Sequence, residues 1–133
     1  MDIQGFHHLA IQVRSLETVA VFYREVLGLP ELARHLRPDA TLRSIWMGLP
    51  GGFLALEESE GEVSAEPFRT DTPGLLLVAL RIAASARPSV LAELRTKGVE
   101  VVHQTRWTLY LRDPEGNRVA LSHHPEDASG YSG

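Results

Sequence analysis

The sequence has no cysteine, which removes disulfide scaffolding, thiolate-bound zinc, iron–sulfur chemistry and thiol nucleophiles in one step. No apolar run approaches the ~18 residues that a membrane-spanning helix needs. The Met1–Phe6 start carries no basic segment followed by a long apolar stretch. A soluble, cytoplasmic protein without a membrane partner is expected on those grounds. Positive charge is also short: 13 Lys and Arg against 17 Asp and Glu leave a net charge of −4. That balance works against attraction to phosphate backbones, so nucleic acid is not an expected partner. Glu57, Glu58, Glu60, Glu62 and Glu66 crowd together, but without the Asp/Asn/Gly ladder of a calcium loop they read as a solvated connection. What remains, 133 residues of which 44% are hydrophobic, suffices for one compact domain with its own core.

Hydrophobic periodicity places the elements. Between His8 and Val13, Leu9, Ile11 and Val13 fall on one face of a strand and His8, Ala10 and Gln12 on the other. Ser15 stands at a helix N-cap, Leu16, Val19, Ala20, Phe22, Tyr23, Val26 and Leu27 recur with helical spacing, and Gly28 is placed to end the helix. A shorter stretch at Pro30–Leu36, a strand at Thr41–Met47, the turn Leu49–Gly52 and a strand at Phe53–Glu57 complete the order β, α, β, β, β. The second half repeats it. A strand at Leu77–Ile82 precedes a helix led in by Pro88 and stopped at Gly98; strands at Val99–His103 and Trp107–Leu111, the turn Asp113–Asn117 and a strand at Arg118–Ser122 follow. Ile45–Leu56 laid over Tyr110–Leu121 needs no gap, an offset of 65 residues, and the opening strands at His8 and Leu77 stand 69 apart. The chain thus reads as an α+β fold of two similar βαβββ modules, about 6–57 and about 74–124. An acidic linker at 58–73 joins them, and a flexible tail at 125–133 follows.

Two motifs carry a family resemblance. HLAIQVRSLETVAVFYREVLGL, from His8 to Leu29, and DPEGNRVAL, from Asp113 to Leu121, together resemble the vicinal-oxygen-chelate superfamily. That superfamily includes glyoxalases, bleomycin-resistance proteins and extradiol dioxygenases, and the likeness runs from about His7 to Ser122. The resemblance implies curved mixed sheets with helices outside, enclosing a cavity. There a divalent metal, held by His and carboxylate side chains at four equivalent positions, chelates substrate oxygens. His8 occupies the first position, whereas Ala55, Leu77 and Ala120 stand at the other three and have no lone pair to donate. No cofactor is therefore expected, and a divalent metal would need replacement ligands from Glu57, His103, His123 or a second chain.

The candidate ligand-binding residues are His8, Phe53, Glu57, Tyr110, Arg118 and Ala120; only His8 matches a family metal position, and no catalytic residue is assigned. His8 reads either as a ligand-facing acid, base or hydrogen-bond donor or as a relic packed against a neighbour. His7, adjacent to it, is expected to point the other way. Strand parity puts Phe53 and Glu57 on the face of Ala55. The resemblance places Tyr110 where the family often has a ligand-contacting tyrosine; the alternative is a core aromatic with its hydroxyl at a rim. Arg43, Arg81 and Arg118 offer a clamp for an anionic ligand. Trp46 and Trp107 read as core residues, and His123 and His124 as an exposed pair.

Three functions fit these residues. The first is a metal-free small-molecule-binding protein of the bleomycin-resistance type, sequestering a ligand as a homodimer. The second is a metal-dependent superfamily enzyme, whether a glyoxalase-like lyase, an epimerase, a dioxygenase or an antibiotic-modifying transferase. The third is a metal-free enzyme using His8 and Tyr110 as an acid/base pair. Fold alone does not choose among them.

Overall fold

The computed structural model describes residues 1–60, 71 and 73–128. The chain divides into two compact units, Met1–Glu66 and Pro67–Gly133. Each carries a four-stranded mixed sheet and a helix, the βαβββ plan of the repeat.

In the first unit β1 (His8–Val13) is followed by α1 (Leu16–Val21), which continues as a π-helical turn over Phe22–Val26. Ser15 takes the N-cap position with an extended backbone, and its hydroxyl donates to Thr18 Oγ1 at 2.9 Å. Strands β2 (Glu31–Leu36), β3 (Leu42–Leu49) and β4 (Gly52–Glu58) follow, and the sheet order is β1-β4-β3-β2. β1 runs parallel to β4, and the other pairs are antiparallel. Val13, Ile45, Met47, Leu54 and Leu56 on one sheet face are buried together with Val19, Ala20 and Tyr23 of the helical segment. Each Val, Ile, Leu or Met side chain among them, removed from water, contributes roughly 1.5–3 kcal/mol. The apolar half of the period-two pattern is therefore the helix-covered half.

The β3–β4 hairpin turns on Pro50 and Gly51, the glycine at φ 83°, a conformation that disfavours a side chain. This two-residue turn sets Leu49 opposite Gly52 and so fixes Trp46 opposite Ala55 and Ser44 opposite Glu57. In β2 a register shift between Glu31 and Ala33 leaves Leu32 without a pairing partner. It leans over Gly48, where an added Cβ would meet Leu32 Cδ2 at 3.0 Å.

The second unit repeats the topology with β5 (Val78–Arg81), a short 3-10 turn leading into α2 (Arg87–Thr96), β6 (His103–Gln104), β7 (Thr108–Arg112) and β8 (Arg118–Ser122), in the order β5-β8-β7-β6. β5 and β8 are parallel. The strand expected at Val99–His103 is reduced to His103–Gln104, because Gly98 and Val99 donate their N–H groups to Arg95 O and Leu94 O and finish the helix instead. The DPEGN motif is a side-chain-locked turn. Asp113 Oδ1 accepts from the N–H groups of Glu115 and Asn117, Oδ2 accepts from Asn117 Nδ2 at 2.9 Å, and Gly116 adopts φ 85°.

Registers refine the repeat. Ala10 and Trp46 flank Ala55, while Ala79 and Tyr110 flank Ala120. Ala120 answers to Ala55 at the offset of 65, but Tyr110 answers to Trp46 at 64. The second hairpin is one residue longer, so the gap-free alignment holds for only one of its strands. Glu62 and Glu66 of the acidic run, most of the 58–73 linker and residues 129–133 lie outside the described residues. Within the run Glu58 pairs with Arg37 at 3.1 Å. Asp127 pairs with Arg106, and Ala128 is buried.

Candidate functional site

Opposite its helix, the sheet of the first unit presents His8, Ala10 and Gln12 from β1, Phe53, Ala55 and Glu57 from β4, Ser44 and Trp46 from β3, and Ala33 and His35 from β2. Small residues flank the tryptophan on both sides: Ala55 pairs with it from β4 and Ala33 from β2. The indole is free to lean along the sheet, and a row of rings results. His8 stacks on Phe53 at 4.7 Å with 6° between planes, Phe53 on Trp46 at 4.3 Å, and His35 lies 4.3 Å from Trp46. The row crosses all four strands. The His8, Phe53 and Trp46 rings are stacked and cover one another's faces, while His35 is tilted by 52° to the indole.

His7 departs from expectation. It precedes the strand, its ring lies 5.0 Å from that of His8 and 5.6 Å from Phe53, and the two Nδ1 atoms are 2.8 Å apart. Strand alternation does not apply one residue before the ladder begins. One Nδ1 must carry the proton and the other accept it.

Three polar atoms on this face are buried without a hydrogen-bond partner: His35 Nε2, Ser44 Oγ and Trp46 Nε1. Ser44 is wholly buried and sits opposite Glu57. Buried polar atoms are nearly always bonded, so three on one face stand out as unused hydrogen-bonding capacity.

The second unit's corresponding face carries Ala79 and Arg81 from β5, Ala120 and Arg118 from β8, Thr108 and Tyr110 from β7, and His103 from β6. The Arg118 guanidinium lies 5.3 Å over the Tyr110 ring, and His103 is 5.6 Å from it on the other side. Thr108 and Ser122 share a hydrogen bond of 2.9 Å. This face is cationic where that of the first unit is aromatic. Arg43 is on the first unit's sheet but outside the row just described, and it is exposed. Of the candidates, His8, Phe53 and Glu57 thus share one face, and Tyr110, Arg118 and Ala120 share another.

A divalent metal at the family positions would find a poor donor set. Ala55 and Ala120 are each 1% exposed and carry no donor atom, and Leu77 likewise has none. The His8 backbone is about 13 Å from that of Glu57 along paired strands, by the rise of ~3.3 Å per residue, and the His8 ring is held on Phe53. His123 is only 2% exposed, not the surface residue expected from sequence. Arg87 Nη1 donates to its Nε2 at 3.1 Å, so Nε2 accepts and Nδ1 carries the proton toward Glu126 O. Both nitrogens are engaged. Among the described residues no group of three or more His, Asp or Glu is placed to hold a metal ion. The residues present do not fit the family's metal.

Three residues that sequence reasoning missed or misplaced lie here. The sequence reads Trp46 as core and carries no motif at His35 or Ser44. The signal for Trp46 and Ser44 was the Pro50–Gly51 turn, whose two-residue length sets both on the Ala55 face. His35 lies beyond the register shift in β2, where parity no longer reads from sequence.

With this geometry in hand, a family description, Glyoxalase/Bleomycin resistance protein/Dioxygenase superfamily, matches residues 5–121. The chain belongs to this superfamily. Its fold recurs in a glyoxalase/bleomycin resistance protein/dioxygenase domain from Frankia sp. EAN1pec, at 24% identity and TM-score 0.73 over 91% of this chain and 98% of that one. A lactoylglutathione lyase from Agrobacterium tumefaciens gives 19% identity and TM-score 0.69 over 93% and 96%. A variant of a fosfomycin resistance protein from Listeria monocytogenes, complexed with Mn(II) and a dihydroxypropylphosphonic acid, gives 16% and 0.69 over 91% and 93%. No curated protein matches the sequence. Among the described residues no helix is long and apolar enough to cross a membrane.

Proposed function

We propose that the protein binds a small, mainly aromatic molecule on the sheet faces of its modules that the helices leave uncovered, without a divalent metal, in the sequestering manner of a resistance-type member of the superfamily. The observation that carries this reading is the ring row His8–Phe53–Trp46–His35 beside Ala55, an aromatic cluster where the family resemblance implies a metal ligand. An alanine floor is drier than a carboxylate one and favours apolar area over chelation. Arg118 and Arg81 on the second unit's corresponding face offer charge to an anionic ligand at a separate site there. Homodimerisation belongs to the same proposal.

The test is a thermal-shift screen of aromatic acids, quinones and glycopeptide drugs in the presence of EDTA. Hits should raise the melting temperature in EDTA, and Ala120→Trp, which fills the second unit's open face, should abolish the shift of any hit anchored there. Hits that appear only when a divalent metal is added would replace this reading with that of a metal-dependent enzyme.

A further inference from the structure

We propose that Trp46, Ser44 and His35 form a hydrogen-bonding subsite at the side of the ring row and that it selects an uncharged oxygen on a planar aromatic ligand. The inference rests on the reading that this face binds a small aromatic molecule, and it specifies the chemistry of the bound group. Trp46 Nε1 is a donor only, so its partner must be an acceptor. Ser44 Oγ and His35 Nε2 both donate or accept, so all three are satisfied by one or two oxygen atoms. Trp46 connects the subsite to the apolar surface, because the same indole stacks on Phe53. The indole N–H is buried between Phe53 and His35, so a ring inserting into the row, with a shift of the Trp46 side chain, brings an attached oxygen to it.

The charge of that oxygen follows from Glu57. It is the register partner of Ser44, and Cβ atoms directly opposite in an antiparallel pair lie about 4.5–5.5 Å apart. A ligand carboxylate at Ser44 would face the Glu57 carboxylate across that distance, and like charges so placed repel. A carbonyl, lactone or phenolic oxygen meets the same donors without the repulsion.

Coumarin, a planar neutral lactone, is the probe, with benzofuran as its carbonyl-free counterpart and coumarin-3-carboxylate as its anionic one. The full chain has two tryptophans, so a nitrogen-15-labelled sample gives two indole N–H resonances, assigned with Trp107→Phe. Coumarin should move the Trp46 indole resonance downfield and saturably. It should bind about three- to tenfold more tightly than benzofuran, the value of one hydrogen bond, and about tenfold more tightly than the carboxylate, as like-charge juxtaposition requires. Ser44→Ala should weaken coumarin and leave benzofuran unchanged, a difference that a merely structural serine would not produce. Equal affinities for coumarin and benzofuran, tighter binding of the carboxylate at Trp46, or an unmoved Trp46 resonance while others shift would overturn the subsite and leave small-molecule binding standing. If none of the three probes perturbs any resonance at millimolar concentration, the binding reading fails and the subsite with it.

Discussion

Replacing Arg87 with methionine removes the buried guanidinium that ties α2 to the far edge of the second unit's sheet. Arg87 is 2% exposed; its Nη1 donates to Arg106 O and His123 Nε2, and its Nη2 to Gln104 Oε1 and Thr105 O, the last two at 2.9 Å. Hydrogen bonds from a charged donor contribute about 1.5–3 kcal/mol each, but that gross figure overstates the loss. Methionine keeps the apolar stem and removes the desolvation cost of a buried charge. Gln104 and Arg106 are exposed enough for water to replace the arginine, whereas His123 is left buried with an unpaired nitrogen. The net expectation is a loss of about 2–4 kcal/mol, with Arg87→Lys losing about half as much because an ammonium lacks the planar fork. Urea unfolding followed by circular dichroism should show a lower midpoint at unchanged slope. A loss below about 0.5 kcal/mol, less than one ordinary hydrogen bond, or full rescue by lysine would refute the reasoning.

Other expectations concern charge, backbone and assembly. The Arg34 guanidinium bonded to Glu17 holds that carboxyl below its ordinary value of 4.5. The stability from the pair is therefore present above about pH 4.5 and lost as the pH falls through the lowered value. Arg34→Met should flatten the urea midpoint across that acid range, and 1 M salt should weaken the difference because both groups are exposed. Ala40 adopts φ 69° in the β2–β3 connection, so Ala40→Gly should raise stability by roughly 0.5–1 kcal/mol, read as a higher urea midpoint. Sedimentation at micromolar concentration should give a dimer; a monomer would remove that part of the proposal.

The fold was legible wherever local pattern and long-range pairing agree. β1 falls on His8–Val13 because its alternation coincides with the helix-covered face. The β-branched run after Gly98 misled because its first residue caps a helix, a demand that strand propensity does not register. Trp46 reads as core because strand tryptophans usually are, whereas hairpin pairing sets it beside Ala55 as Tyr110 sits beside Ala120. His123 looked exposed since nothing in sequence links it to Arg87, 36 positions earlier. The missing donors at Ala55, Leu77 and Ala120 were readable directly, because an alanine or leucine offers no ligand in any conformation.

The central claim, ligand binding without the family's metal, is tested most directly by the metal content of protein purified from rich medium, read beside its melting temperature with and without EDTA. The account predicts far less than one transition-metal ion per chain and an unchanged melting temperature. Near one ion per chain, lost in His8→Ala, with a melting temperature that falls in EDTA and rises with added metal, would contradict it.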